Sequence, residues 1–146
     1  QAAEATRSVH SGGGEVVPAG ERELGWLPVD VLPAGREDPV LGFGEESFIA
    51  FQWHSWAVEP PADAVPLARS RVCLQAFRLG HALGVQYHPE VTADILDGWI
   101  ADLGADPDPV RRERDAAAIR AGIAPHLHRW NAYGRELFRR FAAGLG

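Results

Sequence analysis

The segment GVQYHPEV, residues 84–91, places a histidine and an acid two positions apart, at His88 and Glu90. In an extended segment, side chains at i and i+2 point to the same side, so the imidazole and the carboxylate can lie close together. Pro89 between them lacks an N–H and favours a strand end, where α/β sheets place their sites. A carboxylate beside an imidazole holds one ring tautomer, as in the base and orienting acid of a nucleophilic triad. The alternative is a pair that only solvates a loop, since so short a match is common.

Alternation of apolar residues, bounded by glycine and proline, predicts the strands that would position this pair. The predicted strands cover residues 14–20, 24–35, 48–58, 68–80 and 81–91. A tight turn at Leu79–Gly80–His81 joins the last two strands. A loop rich in glycine, proline and acidic residues is predicted over 33–47.

Helical periodicity predicts helices over residues 1–9, 91–103 and 107–145. We expect Pro125 to break the last of these in two, because an interior proline removes a backbone hydrogen bond. Strands in the middle of the chain followed by helices favour a mixed α/β architecture over a bundle. We expect a single domain over 1–146, with 107–146 as its C-terminal helical segment.

Three segments in this order and spacing resemble the class I glutamine amidotransferases: GGEVVPAGERELGWLPV at 13–29, FQWHSWAV at 51–58 and QAFRLGHALGVQYHPEVT at 75–92. The resemblance is strongest to stand-alone proteins similar to the glutaminase part of GMP synthase. It extends from about Gln1 to Leu103, and more loosely to the C-terminus. It implies a flavodoxin-like α/β fold and the hydrolysis of glutamine to glutamate and ammonia by a cysteine–histidine–glutamate triad. In that reaction a thiolate attacks the side-chain amide, ammonia leaves, and water hydrolyses the thioester.

The resemblance also assigns roles to particular residues. His88 matches the family's base, and Glu90 matches the acid that orients it. The family's glutamine-binding strand matches Gln52–Trp53–His54–Ser55, which implies substrate contacts at His54, Ser55 and Trp56. Ser55–Trp56 stand where many close relatives have Gly–Asp.

The nucleophile is where this chain departs from the family. Gln1 matches the glutamine of the family's G-x-C-x-G-x-Q turn, so the resemblance implies that Gln1 lies at the substrate site and that the cysteine precedes it. We therefore expect an N-terminally truncated domain that is inactive as given. Cys73 is the single cysteine. Its apolar context, SRVCLQAF, has no glycine turn and indicates a small buried residue rather than a low-pKa thiol.

Charge and hydropathy exclude several classes of partner. A net charge of −6 argues against nucleic acid, because phosphate binding needs a basic face. No apolar run approaches the ~20 residues that span a bilayer, and no secretion signal opens the chain, so we expect a cytoplasmic protein without a membrane partner. One cysteine fits no multi-cysteine zinc pattern. The resemblance implies no cofactor and no metal, with glutamine as substrate and a synthase partner that would receive the ammonia.

Two other functions stay open. The chain could be a glutamine-binding or regulatory module without catalysis, or a relative of γ-glutamyl hydrolases and peptidases, which share the triad but not the ammonia transfer. A complete nucleophile turn encoded upstream of Gln1 would favour the enzyme over the module. Because a parallel sheet without its first strands exposes apolar edges, we expect the isolated chain to be unstable or to self-associate.

Overall fold

The computed structural model describes residues 13–144, so the predicted helix over 1–9 lies outside the described residues. One sheet has the spatial order β2-β1-β3-β4-β5, and each neighbouring pair of strands is antiparallel. The predicted mixed α/β architecture is confirmed. The strands are β1 (Glu15–Val31), β2 (Ser47–Glu59), β3 (Val65–Arg69), β4 (Leu74–Leu79) and β5 (Ala82–Val85).

Strand β1 is a single long strand, although the sequence predicted two separate ones. It pairs with β2 along almost its whole length, and the register shifts between Pro18 and Glu23. Because β2 continues past the irregularity, pairing to it keeps both halves of β1 in one strand. On either side of the shift, Pro18 lies opposite Trp56 and Glu23 lies opposite His54.

The strand predicted over 68–80 is wrong at its start, because β3 ends at Arg69 and β4 begins only at Leu74. Between them the hydroxyl of Ser70 accepts hydrogen bonds from the backbone N–H groups of Val72 and Cys73, at 3.1 and 3.2 Å. Such local bonds compete with the ladder. The predicted turn at Leu79–Gly80–His81 is confirmed, and Gly80 takes the positive φ of +56° that the turn requires. Strand β5 ends at Val85, short of the predicted residue 91.

Among the described residues, three α-helices accompany the sheet, α1 (Pro33–Glu37), α2 (Ala93–Asp102) and α3 (Pro109–Ala143), and a short 3-10 helix covers Leu103–Ala105. Helix α1 lies in the predicted loop, where Pro33 occupies the first helical position. Helix α2 lies within the predicted 91–103. Its N-terminus is capped by Thr92, whose hydroxyl accepts from the N–H of Ile95 at 3.3 Å.

Helix α3 runs unbroken through Pro125, so the predicted break is wrong. An interior proline costs about 3 kcal/mol in a helix. Buried side chains on both sides of it, at Ile119, Trp130 and Leu137, pack into the core. Each fully buried large apolar side chain contributes about 1.5–3 kcal/mol, so burial of the two halves on one sheet outweighs the local cost.

Two glycines set how closely α3 approaches the rest of the molecule. A Cβ at Gly122 would overlap the indole of Trp26 in β1, and a Cβ at Gly134 would overlap the carbonyl oxygen of Pro89. The Trp26 indole N–H also donates to the carbonyl of Ile119, at 3.0 Å. The helix therefore lies directly against both the sheet and the turn that carries His88. Among the described helices, none is both long and apolar enough to cross a membrane.

Candidate functional site

His88 and Glu90 lie in the turn that follows β5, and their side chains meet there. His88 Nδ1 and Glu90 Oε1 are 2.8 Å apart. An ionised carboxylate only accepts hydrogen bonds, so Nδ1–H is the donor, and in the neutral ring Nε2 carries the lone pair. The pair therefore lies in a turn beyond β5, which ends at Val85, and not at the end of the strand predicted over 81–91. The resulting arrangement has a base nitrogen at Nε2 and an oriented ring.

The turn is held from two sides by main-chain contacts. The N–H of His88 donates to the carbonyl of Phe51 in β2, at 2.9 Å. The indole N–H of Trp130 in α3 donates to the carbonyl of His88, at 2.8 Å. The ring of Trp99 in α2 contacts the His88 ring edge-on, with centroids 4.9 Å apart. The position of His88 is thus decided by one strand and two helices.

Glu90 is tuned to stay ionised. Its partial burial raises the pKa of the carboxyl, but the hydrogen bond to His88 and a bond to its own backbone N–H lower it by more. The net pKa of Glu90 lies below the ordinary value of 4.5. Near neutral pH the carboxylate is therefore charged and accepts from Nδ1–H, which keeps Nε2 available as a base.

The pair lines an open cleft of about 1060 Å³. Of the predicted site residues, His54, Trp56, His88 and Glu90 line this cleft. Ser55 is exposed and lies outside its lining, and Gln1 lies outside the described residues. Most of the remaining wall is apolar, from Val16, Trp53, Val58, Leu83, Val85, Trp99, Leu137, Phe138 and Phe141.

Gln86 is a site residue to which the sequence assigned no role. Its side-chain oxygen accepts from the N–H of Val58 at 2.6 Å, and its amide nitrogen donates to the carbonyl of Trp56 at 3.1 Å. Nδ1 of His54 lies 2.9 Å from the same Trp56 carbonyl. Pro18, opposite Trp56, has no N–H to offer, and these side chains supply donors to that carbonyl. Gln86 lies in the segment GVQYHPEV, two residues before His88, and this closeness in sequence could have indicated that it belongs to the site.

Cys73 lies outside the lining of the cleft that His88 lines. Burial raises the pKa of its thiol, and the charge of Glu23 raises it further, to about 12. A thiol with so high a pKa is protonated at neutral pH and is a poor nucleophile. This fits the prediction that Cys73 is not the catalytic thiol. The described residues that could hold a metal ion are Glu23, His54 and Cys73, whose ligand atoms lie within 4.8 Å of one another.

Comparison with known proteins finds similarity to glutamine amidotransferases, the family that the motifs resemble. No protein-family model matches the sequence. A glutamine-hydrolysing GMP synthase from Enterobacter sp. (strain 638) is 31% identical over 105 residues, which cover 62% of this chain. The match covers 20% of that protein, so the chain spans about a fifth of the length of this curated relative.

Solved structures share the fold. The chain matches a glutamine amido transferase from Methylobacillus flagellatus with a TM-score of 0.80 and 24% identity, over 96% of this chain and 59% of that one. It matches a glutamine amidotransferase from Thermotoga maritima with a TM-score of 0.79 and 22% identity, over 94% of this chain and 58% of that one. The predicted resemblance to class I glutamine amidotransferases is confirmed, and so is the predicted α/β fold of that family.

Proposed function

We propose that the cleft is the glutamine site of a glutaminase of the class I amidotransferase type, with His88 as its base and Glu90 as its orienting acid. The 2.8 Å contact between His88 Nδ1 and Glu90 Oε1, at the wall of an open cleft, is the observation that carries the proposal. The similarity to a glutamine-hydrolysing GMP synthase supports glutamine as the substrate. The same similarity supports a synthase as the partner that receives the ammonia.

The reaction requires a thiol in the cleft beside His88, and Cys73 is not among the residues that line the cleft. We infer that this thiol comes from residues outside the present sequence, so the 146-residue chain alone does not hydrolyse glutamine. His88 Nε2 takes the thiol proton, and the thiolate adds to the amide carbon. The proton then goes to the nitrogen, and ammonia leaves as the C–N bond breaks. Water, deprotonated by His88, hydrolyses the thioester to glutamate and restores the thiol.

Substrate binding involves the segment at Ser55–Trp56. We propose that its backbone N–H groups bind the α-carboxylate of glutamine, at the side of the cleft formed by Trp56. Hydrogen bonds from Gln86 and His54 to the Trp56 carbonyl hold this segment in place. In this role Gln86 is a positioning residue, because it acts through the backbone of β2.

The test uses the longest open reading frame that contains this chain, with ammonia and glutamate release measured from glutamine. We expect His88→Asn and Glu90→Gln each to lower kcat by about 10²–10⁴-fold, the usual contribution of a general base and its orientation. His128→Asn is the matched control, because His128 is exposed on α3 and outside the cleft. Activity within a few-fold of wild type in His88→Asn would contradict the assignment.

A glutamine-binding module is a second candidate, favoured because the single cysteine, Cys73, does not line the cleft that His88 lines. Calorimetry with glutamine on the 146-residue chain separates the two functions. Binding without turnover, in an open reading frame that also lacks a cysteine upstream of Gln1, would assign the module. Comparing glutamine with γ-glutamyl peptides on an active full-length protein would separate an amidotransferase from a γ-glutamyl hydrolase.

A further inference from the structure

A buried polar cluster joins β1, β2 and the loop before β4, next to the cleft. Its centre is the carboxylate of Glu23, of which 3% is exposed. Glu23 Oε2 lies 3.3 Å from His54 Nε2 and 3.4 Å from Cys73 Sγ. Three different ligand types from three separate segments thus converge on one point. Cys73 also borders a second hollow, of about 370 Å³.

The hydrogen bonds of His54 leave one of its nitrogens facing acceptors. Its Nδ1 lies 2.9 Å from the carbonyl of Trp56 and 3.3 Å from the amide nitrogen of Gln86, so Nδ1 donates to the first or accepts from the second, according to the tautomer. Nε2 lies 3.2 Å from Gln52 Oε1 and 3.3 Å from Glu23 Oε2. The Gln52 amide is oriented by its own Nε2–H, which donates to Gln75 at 2.8 Å. When Nε2 carries the proton, Nε2–H donates to these oxygens; when Nδ1 carries it, Nε2 presents a lone pair to them, and a metal ion can lie between.

Two of the three separations between the ligand atoms match a tetrahedral metal site, and all three atoms lie within 4.8 Å of one another. With bonds of about 2.0–2.3 Å, the ligand atoms of tetrahedral zinc lie roughly 3.3–3.7 Å apart. The measured separations from Glu23 Oε2 are 3.3 Å to nitrogen and 3.4 Å to sulfur. A thiolate with an imidazole selects zinc-class ions, whereas calcium and magnesium prefer oxygen ligands alone.

We propose that Glu23, His54 and Cys73 bind a divalent transition metal of the zinc class. On binding, the Cys73 thiol passes its proton to solvent, and sulfur, nitrogen and carboxylate oxygen each donate an electron pair to the ion. The ion then ties the register shift of β1 to β2 and to the Ser70–Cys73 loop. None of its ligands forms a hydrogen bond with His88 or Glu90, but His54 also lines the cleft and contacts the Trp56 carbonyl, so metal binding is measured separately from glutamine turnover.

The protein as purified, stripped of metal and titrated with Co²⁺, provides the test. We expect one equivalent to bind, with the visible bands of tetrahedral cobalt and a sulfur-to-cobalt charge-transfer band in the near ultraviolet. Zn²⁺ should displace the cobalt and abolish both sets of bands. Titration of the wild-type chain alone decides the question: if one equivalent of Co²⁺ yields no charge-transfer band, the proposal fails and the cation at His54 Nε2 is a proton.

Variants identify the ligands. We expect Cys73→Ser to abolish the charge-transfer band, and His54→Gln and Glu23→Gln to weaken cobalt binding by more than about tenfold, because even loss of an outer-shell partner costs that much. His128→Gln is the control and should bind like wild type. Circular dichroism of each metal-free variant checks that it is folded. If folded His54→Gln and Glu23→Gln keep the charge-transfer band and bind cobalt with the affinity of wild type, the thiol binds cobalt without these two side chains. That result would overturn the proposed site.

Discussion

The close approach of Gly134 to Pro89 predicts a specific effect of adding one methyl group. A Cβ at Gly134 would overlap the carbonyl oxygen of Pro89, the residue between His88 and Glu90. This oxygen belongs to the main chain of a turn held by Phe51 and Trp130, so it cannot move without moving His88. We expect Gly134→Ala to destabilise the fold and to displace the turn.

Two opposing effects determine the magnitude. Alanine is favoured over glycine in an open helix by about 0.8–1 kcal/mol, which by itself would stabilise the variant. Overpacking a close contact costs about 1–3 kcal/mol. Gly98 in α2 provides the matched control, because a Cβ there would meet no atom within 4 Å. Gly98→Ala should therefore gain the full helix preference, and Gly134→Ala should be about 1–3 kcal/mol less stable than Gly98→Ala.

The assay is urea unfolding of both variants, followed by the fluorescence of the five tryptophans. Two of them, Trp99 and Trp130, contact His88 and report on the turn directly. An equal gain of stability in Gly134→Ala and Gly98→Ala would refute the reasoning. In that case the approach of Gly134 to Pro89 would not constrain the turn, and α3 would support it through Trp130 alone.

Three further variants test other features of the fold by unfolding measurements. Trp130→Phe removes the indole donor to the His88 carbonyl and should cost about 1–3 kcal/mol, the penalty of an unsatisfied buried acceptor; an unchanged urea midpoint would contradict it. Burial raises the pKa of Asp38, but the hydrogen bond from Arg78 and two backbone N–H groups lower it by more, to a net value below 3.8. Its contribution to stability is therefore present above that ordinary pKa and lost as pH falls through the folded-state pKa. The urea midpoint should fall less steeply with decreasing pH in Asp38→Asn than in wild type. The same pH dependence in both proteins would contradict this expectation. Pro125→Ala restores a helical N–H and should stabilise the chain by up to about 3 kcal/mol. A loss of stability in both thermal and urea unfolding would contradict this expectation.

Local features of the sequence predicted those elements that neighbouring residues determine. The turn at Gly80 needs a positive φ, and glycine supplies it without steric cost. The aromatic and β-branched run at 48–58 predicted β2, which spans Ser47–Glu59. His88 and Glu90 are two residues apart, so their contact requires only a local chain path.

Long-range packing decided what local patterns could not. Pro125 predicts a helix break by its own chemistry, yet α3 continues because Ile119 and Trp130, on either side of it, are buried. Glu23 meets Cys73, 50 residues later, only because a register shift in β1 places it opposite His54. Such contacts depend on how strands pair, which single-residue preferences do not encode.

The sequence by itself determined the chemistry of the candidate base and its acid, because the types and spacing of His88 and Glu90 are written in eight consecutive residues. The tertiary structure decided where that pair points and what surrounds it. A carbonyl from β2 and an indole from α3 hold the turn, and Gln86 orders the facing strand through Trp56. The physical reason is that hydrogen bonding and burial at this site join segments far apart in the chain, and only folding brings their partners within reach.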